Sequence, residues 1–284
     1  MCDALAAAGW DVWGIGYGAG DLEQPTSLSD YAACDLTDAG TLVEAVSRAR
    51  PEAVLHLAAI AFVGHGDADD FYRINLIGTH NLLRAIECSG VKPRSVVLAS
   101  SANIYGNGAS GRISEEQLAN PSNDYAVSKS AMEQMARLWF DRLPILLTRP
   151  FNYTGLGQSE RFLIPKIVDH IRRQADVIEL GNLDVARDFS DVRFVADVYR
   201  RLLESGHSGE AINICSGVAR SLNEILMLVQ EISGHSIEIR VNPDFVREKE
   251  VMTLCGDPSR LNTLIGPSDA PSLHDTLRWM IEAR

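Results

Sequence analysis

The sequence predicts an α/β protein built on a Rossmann-like, doubly wound parallel sheet, and three observations predict it. Short apolar runs alternate with longer stretches of helical period from residue 11 to residue 148. Those runs are apolar at successive positions instead of every second one, as in strands covered on both faces. Polar signatures such as His56 and Ser100-Ser101 follow the carboxyl ends of the runs, where open α/β sheets collect their chemistry. In order, residues 2–9 read as a helix stopped at Gly9, and 11–15 as a buried strand. Residues 31–34, 53–57, 95–99 and 145–148 read as further strands, with helices over 37–48, 71–88 and 125–142. After Pro150 the pattern loosens into helices over 161–173, 221–232 and 273–281 and short strands over 177–180, 211–214 and 237–241. The expected organisation is a dinucleotide-binding domain over 1–150 and a smaller α/β substrate lobe over 151–284, with 185–205 packing back onto the first. A parallel α/β chain ordinarily opens with a strand and a glycine-rich turn, and both are expected to be missing here, because the reading begins within a helix. Gly14, Gly16 and Ala19 formally satisfy G-x-G-x-x-A after a strand, but Pro25 and the absence of an apolar period behind them read as a loop.

A formal net charge of −12 over 284 residues disfavours nucleic acid and anionic membrane surfaces as partners. An anionic ligand must then be met by local arginines. The five cysteines are scattered, odd in number and without Cys-x-x-Cys spacing, which predicts a reduced, cytoplasmic chain with no metal site. No apolar run approaches membrane-spanning length, and no basic region of a signal peptide opens the chain.

Tyr125 and Lys129 open the long helix four residues apart. That spacing puts them on one face, about 6 Å apart along the axis, where an ammonium stabilises a phenolate and makes the tyrosine a usable acid or base. Upstream, Leu98-Ala99-Ser100-Ser101-Ala102-Asn103 carries a strand into a serine pair, placing a hydroxyl where it can donate to a carbonyl above the sheet. With Asn75 and Gly78-Thr79 earlier and the Tyr/Lys pair 24 residues after Ser101, these motifs resemble the extended short-chain dehydrogenase/reductases that modify nucleotide sugars.

The resemblance implies roles residue by residue. Ser101, Tyr125 and Lys129 match the catalytic triad, with Tyr125 transferring the proton and Lys129 holding the nicotinamide ribose. Leu57, Ala58 and Ala59, after His56, would line the cofactor, and Asp35 and Leu36 would lie against adenine. Asn75 would support the site from its helix. Asn103, Asn152, Arg187, Arg247 and Glu250 fall in segments that contact the nucleotide sugar, although each arginine taken singly reads equally well as a surface ion pair. The motifs Arg149-Pro150-Phe151-Asn152-Tyr153 and Arg187-Asp188-Phe189-Ser190-Asp191 are most similar to those of GDP-4-keto-6-deoxy-D-mannose reductases. Ala102 and Asn103 stand where 4,6-dehydratases carry an acidic pair, so elimination has no evident catalyst. The expected reaction is NAD(P)H-dependent 4-keto reduction, GDP-4-keto-6-deoxy-D-mannose to GDP-D-rhamnose. A nucleotide-sugar 4-epimerase and a catalytically silent binding protein are the alternatives. Gly16, where NAD-selective relatives place an acid, favours NADPH over NADH. The resemblance also implies a homodimer through helices 71–88 and 125–142, with Trp139 and Phe140 either in that contact or in intrachain packing.

Overall fold

A computed structural model describes residues 1–18, 26–62, 67–106, 111–245, 251–267 and 269–283. In chain order it contains α1 (Cys2–Ala7), β1 (Trp13–Gly16), β2 (Asp30–Ala33), α2 (Ala39–Ala49), β3 (Ala53–His56), α3 (Ala68–Asp70), a π-helical stretch (Phe71–Gly78), α4 (Thr79–Cys88), β4 (Ser95–Ala99), a 3-10 turn (Ala102–Tyr105), α5 (Asp124–Arg137) and β5 (Ile145–Pro150). There follow β6 (Asn152–Thr154), α6 (Leu163–Arg172), β7 (Val177–Leu180), β8 (Ala186–Asp191), α7 (Val192–Ser205), β9 (Ala211–Ile214), β10 (Ala219–Ser221), α8 (Leu222–Ser233), β11 (Glu238–Val241), a second 3-10 turn (Pro243–Phe245), β12 (Thr253–Leu254), α9 (Ser259–Ile265) and α10 (Leu273–Glu282). None of the described helices is long and apolar enough to cross a membrane.

Two compact units divide the chain. The first comprises residues 1–104, 123–149 and 196–212, the second 105–122, 150–195 and 213–284. In the first, a four-stranded sheet runs in the order β3-β4-β5-β9, with β3, β4 and β5 parallel. The register pairs His56 with Leu98 and Ala99 with Thr148, so the carboxyl ends of three strands finish side by side. Leu83, Ile86, Val96, Leu98, Met132, Ile145 and Leu147 form a core that is essentially shut off from water. Such burial stabilises each large side chain by about 1.5–3 kcal/mol. Helix starts are set locally: Asp38 accepts from the amides of Gly40 and Thr41, and Asn123 accepts from that of Ala126.

β1 and β2 form a separate parallel pair. The buried strand expected over 11–15 is instead half-exposed along all of β1, because among the described residues it has a ladder partner on one side only. The long helix expected over 125–142 ends as an α-helix at Arg137 and tightens into turns, with Trp139 N–H bonded to the carbonyl of Ala136 three residues back. Trp139 is 5% exposed, packs in the first core and carries the Arg142 guanidinium over its ring at 3.9 Å. Of the two fates open to Trp139, the intrachain one is observed.

The second unit packs α6, α8 and α10 over β7 and β11, with Ile164, Ile167, Ile171, Leu226, Val229 and Leu277 buried between them. Beside this core, β8 pairs with β6, β10 and β12.

Candidate active site

In the first unit, α5 carries Tyr125, Ser128, Lys129 and Glu133, all buried. Lys129 is 4% exposed, and its Nζ donates to the carbonyl of Ala99 at 2.7 Å. The ammonium is thereby tied to the end of β4, two residues before Ser101. Burial lowers the Lys129 pKa to about 8, while the Glu133 carboxylate works in the opposite direction. Tyr125 is 7% exposed and stands edge-on to Phe71, ring centroids 5.9 Å apart.

Ser101 follows β4 and is 5% exposed. Its Oγ accepts twice from Asn103, from the backbone N–H and from Nδ2, each at 3.2 Å. With both incoming bonds supplied by one residue, the hydroxyl retains its own proton to donate outward. Asn103, expected to contact the nucleotide sugar, donates its side-chain amide to Ser101 Oγ.

Asn75 lies in the π-helical stretch and is fully buried. Its side chain accepts from the Ile60 N–H at 2.9 Å and donates to the Ile60 carbonyl and to Ser128 Oγ, each at 3.1 Å. Ser128 in turn donates to the Tyr125 carbonyl at 2.8 Å. One amide thus ties the segment after β3 to the helix turn that bears Tyr125. His56 ends β3 with its Nε2 2.9 Å from Thr79 Oγ1. The Thr79 hydroxyl gives its proton to the Asn75 carbonyl at 2.7 Å, which leaves it to accept from His56 Nε2–H. Burial, and secondarily the Lys129 charge, lower the His56 pKa to about 3, so the ring is neutral.

The positions expected to hold a dinucleotide are mixed in character. Leu57 is 43% exposed and Ala58 is also exposed, an uncovered apolar ledge at the end of β3. Beyond β4, the Ser100 hydroxyl is buried with no partner among the described residues. A ledge for an apolar ring, an unpartnered hydroxyl and an ammonium all suit a nicotinamide ribose. The Asp35 carboxylate accepts from Thr37 N and Oγ1, both at 2.8 Å, which holds its pKa below the usual value. Leu36 packs against the first core beneath Gly78, where an added Cβ would come within 2.8 Å of Leu36 Cβ. At the end of β1, a Cβ on Gly16 would lie 2.6 Å from the Tyr31 hydroxyl, so no acidic side chain fits there without displacing Tyr31.

The second unit carries the other expected ligand residues. Asn152 on β6 has its Nδ2 buried with no partner among the described residues. Arg187 on β8 donates Nη1 to the carbonyls of Ala186 and Met252, at 2.9 and 3.3 Å. Next to it, the wholly buried Asp188 gathers the N–H and hydroxyl of Ser216 and the N–H groups of Gly217 and Gly256 at 2.6–3.2 Å. Arg247 and Glu250 lie outside the described residues. No group of three or more His, Cys, Asp or Glu that could hold a metal occurs among the described residues.

Three buried features of the two units escaped the sequence reading: in the first the His56–Thr79 bond and an ion pair between Glu133 and Arg149, in the second the Asp188 latch. Only the ion pair had a usable signal, since Tyr125, Lys129 and Glu133 recur every four residues and share one helix face.

Known proteins bear on this geometry. The model of the family described as GDP-mannose 4,6 dehydratase matches residues 5–280. The GDP-6-deoxy-D-talose 4-dehydrogenase of Aggregatibacter actinomycetemcomitans is 39% identical over 82% of this chain and 79% of its own length. The GDP-6-deoxy-D-mannose reductase of Pseudomonas aeruginosa is 35% identical over 81% of this chain and 79% of its own. Among solved structures, a Burkholderia cenocepacia protein provisionally described as an epimerase is 45% identical, with TM-score 0.93 over 99% of this chain and 92% of that one. The structure of RMD from Pseudomonas aeruginosa complexed with NADPH is 30% identical, with TM-score 0.82 over 95% of this chain and 97% of that one. With a family match along nearly its whole length and the Ser101, Tyr125 and Lys129 motifs in order, the chain belongs to the GDP-mannose 4,6-dehydratase family of extended short-chain dehydrogenase/reductases.

Proposed function

We propose that this NAD(P)-dependent oxidoreductase reduces the 4-keto group of a GDP-linked 6-deoxyhexose, with GDP-4-keto-6-deoxy-D-mannose as substrate and GDP-D-rhamnose as product. The observation that carries the reading is the setting of Ser101. Its neighbours are Ala102 and Asn103, and Asn103 is committed to the Ser101 hydroxyl. Without a carboxyl beside the serine, the site retains the groups for proton transfer to a C4 oxygen and lacks an acid for eliminating water, despite the family's name. The two GDP-6-deoxyhexose enzymes among the relatives support the same sugar class.

A bound nicotinamide coenzyme supplies the hydride and so carries the redox chemistry. Lys129 and the ledge from Leu57 to Ala59 would hold it, with Asp35 and Leu36 toward its adenine end. Ser101 donates to the sugar oxygen and orients it. Tyr125 gives its proton to that oxygen as charge develops there, and the Lys129 ammonium stabilises the phenolate left behind. Asn152 and Arg187 would contact the nucleotide sugar, Arg187 through its guanidinium, whose planar fork suits phosphate oxygens. NADPH is the preferred coenzyme, because the Tyr31 hydroxyl occupies the space an acidic reader of the ribose would need. The protein works in the cytoplasm as a homodimer, and the dimer is supported by Leu138 and Ile77, 78% and 49% exposed within the segments 125–142 and 71–88 expected at the contact.

The test is NADPH absorbance in the presence of GDP-4-keto-6-deoxy-D-mannose. Stoichiometric oxidation with formation of a GDP-6-deoxyhexose is expected, and Tyr125→Phe should lose about 10²–10⁴-fold in turnover while still binding coenzyme. Interconversion of two 4-epimers without net oxidation would replace the reading by an epimerase. Turnover retained in Tyr125→Phe would remove the assigned proton donor.

A further inference from the structure

Glu133 and Arg149 form the most deeply buried ion pair among the described residues, with side chains 2% and 8% exposed. Arg149 Nε donates to one carboxylate oxygen at 2.9 Å and Nη2 to the other at 2.7 Å, a two-point, fork-shaped contact. The pair joins α5 to β5, and Glu133 lies one helical turn beyond Lys129 on the same buried face. A carboxylate in that position acts on the Lys129 charge across a medium that screens poorly. Arg149 pairs with the carboxylate and offsets part of its field.

We propose that Glu133 and Arg149 are positioning residues that set the charge of the Lys129 ammonium, Glu133 favouring the charged form and Arg149 moderating it. The inference rests on the reading of Lys129 as the partner of Tyr125. The groups facing Lys129 from each surrounding element define its field. β3 contributes His56, which is neutral, and β4 the Ala99 carbonyl, which accepts its proton. α5 contributes Tyr125 and Glu133, and β5 contributes Arg149 through Glu133. Burial alone drives the ammonium toward its neutral form, and Glu133 is the one carboxylate in this set that opposes it. Losing that opposition would leave a neutral amine near pH 7, unable to stabilise a phenolate.

Bond-holding and charge-setting roles separate by sign. Glu133→Gln and Arg149→Met break the same pair, so a purely structural contribution perturbs Lys129 alike in both. A charge-setting pair moves it in opposite directions. The chain has four lysines, and the ¹³Cε resonance missing from Lys129→Met identifies Lys129 in a titration. Glu133→Gln is expected to lower the Lys129 midpoint by about one to two pH units, and Arg149→Met, which leaves Glu133 facing Lys129 alone, to raise it. Shifts of the same sign, or no shift in either, overturn the proposal. Where a single variant fails to fold, Glu133→Leu/Arg149→Met removes both charges of the pair together and must show the lowered midpoint, and an unchanged midpoint there overturns the proposal equally. The titration needs neither substrate nor turnover, so it stands or falls apart from the reductase assay.

Discussion

His56 makes the first unit sensitive to acid through one buried side chain. In the unfolded chain its pKa is near the ordinary 6.5, and in the fold burial lowers it to about 3. Between those values the unfolded state binds the proton that the folded state refuses, so stability falls as the pH falls. The contribution is complete above about pH 6.5 and is lost progressively toward pH 3, at a slope approaching 1.4 kcal/mol per pH unit for one proton. Urea denaturation of the parent and of His56→Gln across this window measures it: the parent should lose stability more steeply, and parallel curves would show that His56 carries none of the effect. The contrast with Tyr125 and Lys129 shows what was legible at this scale. Their shared buried helix face follows from a four-residue spacing along one helix, whereas the His56–Thr79 bond spans 23 positions and needs the fold to close it. The Asn103 bond to Ser101 was not legible either, because a short amide reaches its own neighbour as readily as a ligand.

Elements bounded by strong punctuation were read to the residue, and those without it were not. β4, β7 and β9 begin and end as expected, because their apolar runs stop at polar or turn residues. β6, β10 and β12 are three, three and two residues long, too short to show a period. α7 follows β8 with no residue between them, and Asp191, the last residue of that strand, accepts from the Arg193 N–H at 2.7 Å; a helix started that way carries no glycine or proline signal. The turn after Ala102–Tyr105 depends on one glycine. Gly106 has φ +59°, and a Cβ there would stand 1.7 Å from the backbone oxygen of Asn120. Gly106→Ala therefore meets a left-handed backbone penalty of about 1–2 kcal/mol and a collision with main chain that no side-chain rotation relieves. The urea midpoint should drop by more than that penalty alone, and a variant within about 0.5 kcal/mol of the parent would mean that the Asn120 segment moves aside freely.

At the scale of the whole molecule, charge opposes the proposed ligand while single residues favour it. Composition announced this conflict directly, and the sequence reading returned 185–205 to the first domain, where the first unit holds residues 196–212; it assigned no crossing to 105–122, which belong to the second unit. The net charge of −12 repels a nucleotide sugar with two phosphates over a distance set by ionic strength. Arg187 acts only at contact, over a few ångströms. Raising the salt from about 10 mM to about 150 mM shortens the screening length from about 30 Å to about 8 Å, which suppresses the repulsion before it weakens a bonded arginine. The association rate of GDP-4-keto-6-deoxy-D-mannose, followed by stopped-flow quenching of NADPH fluorescence in the slowly reacting Tyr125→Phe variant, should therefore rise several-fold over that range, while the dissociation rate changes less. An association rate that falls with salt would mean that a local positive field already governs the approach, and that the arginines outweigh the acidic surface at long range as well as at contact.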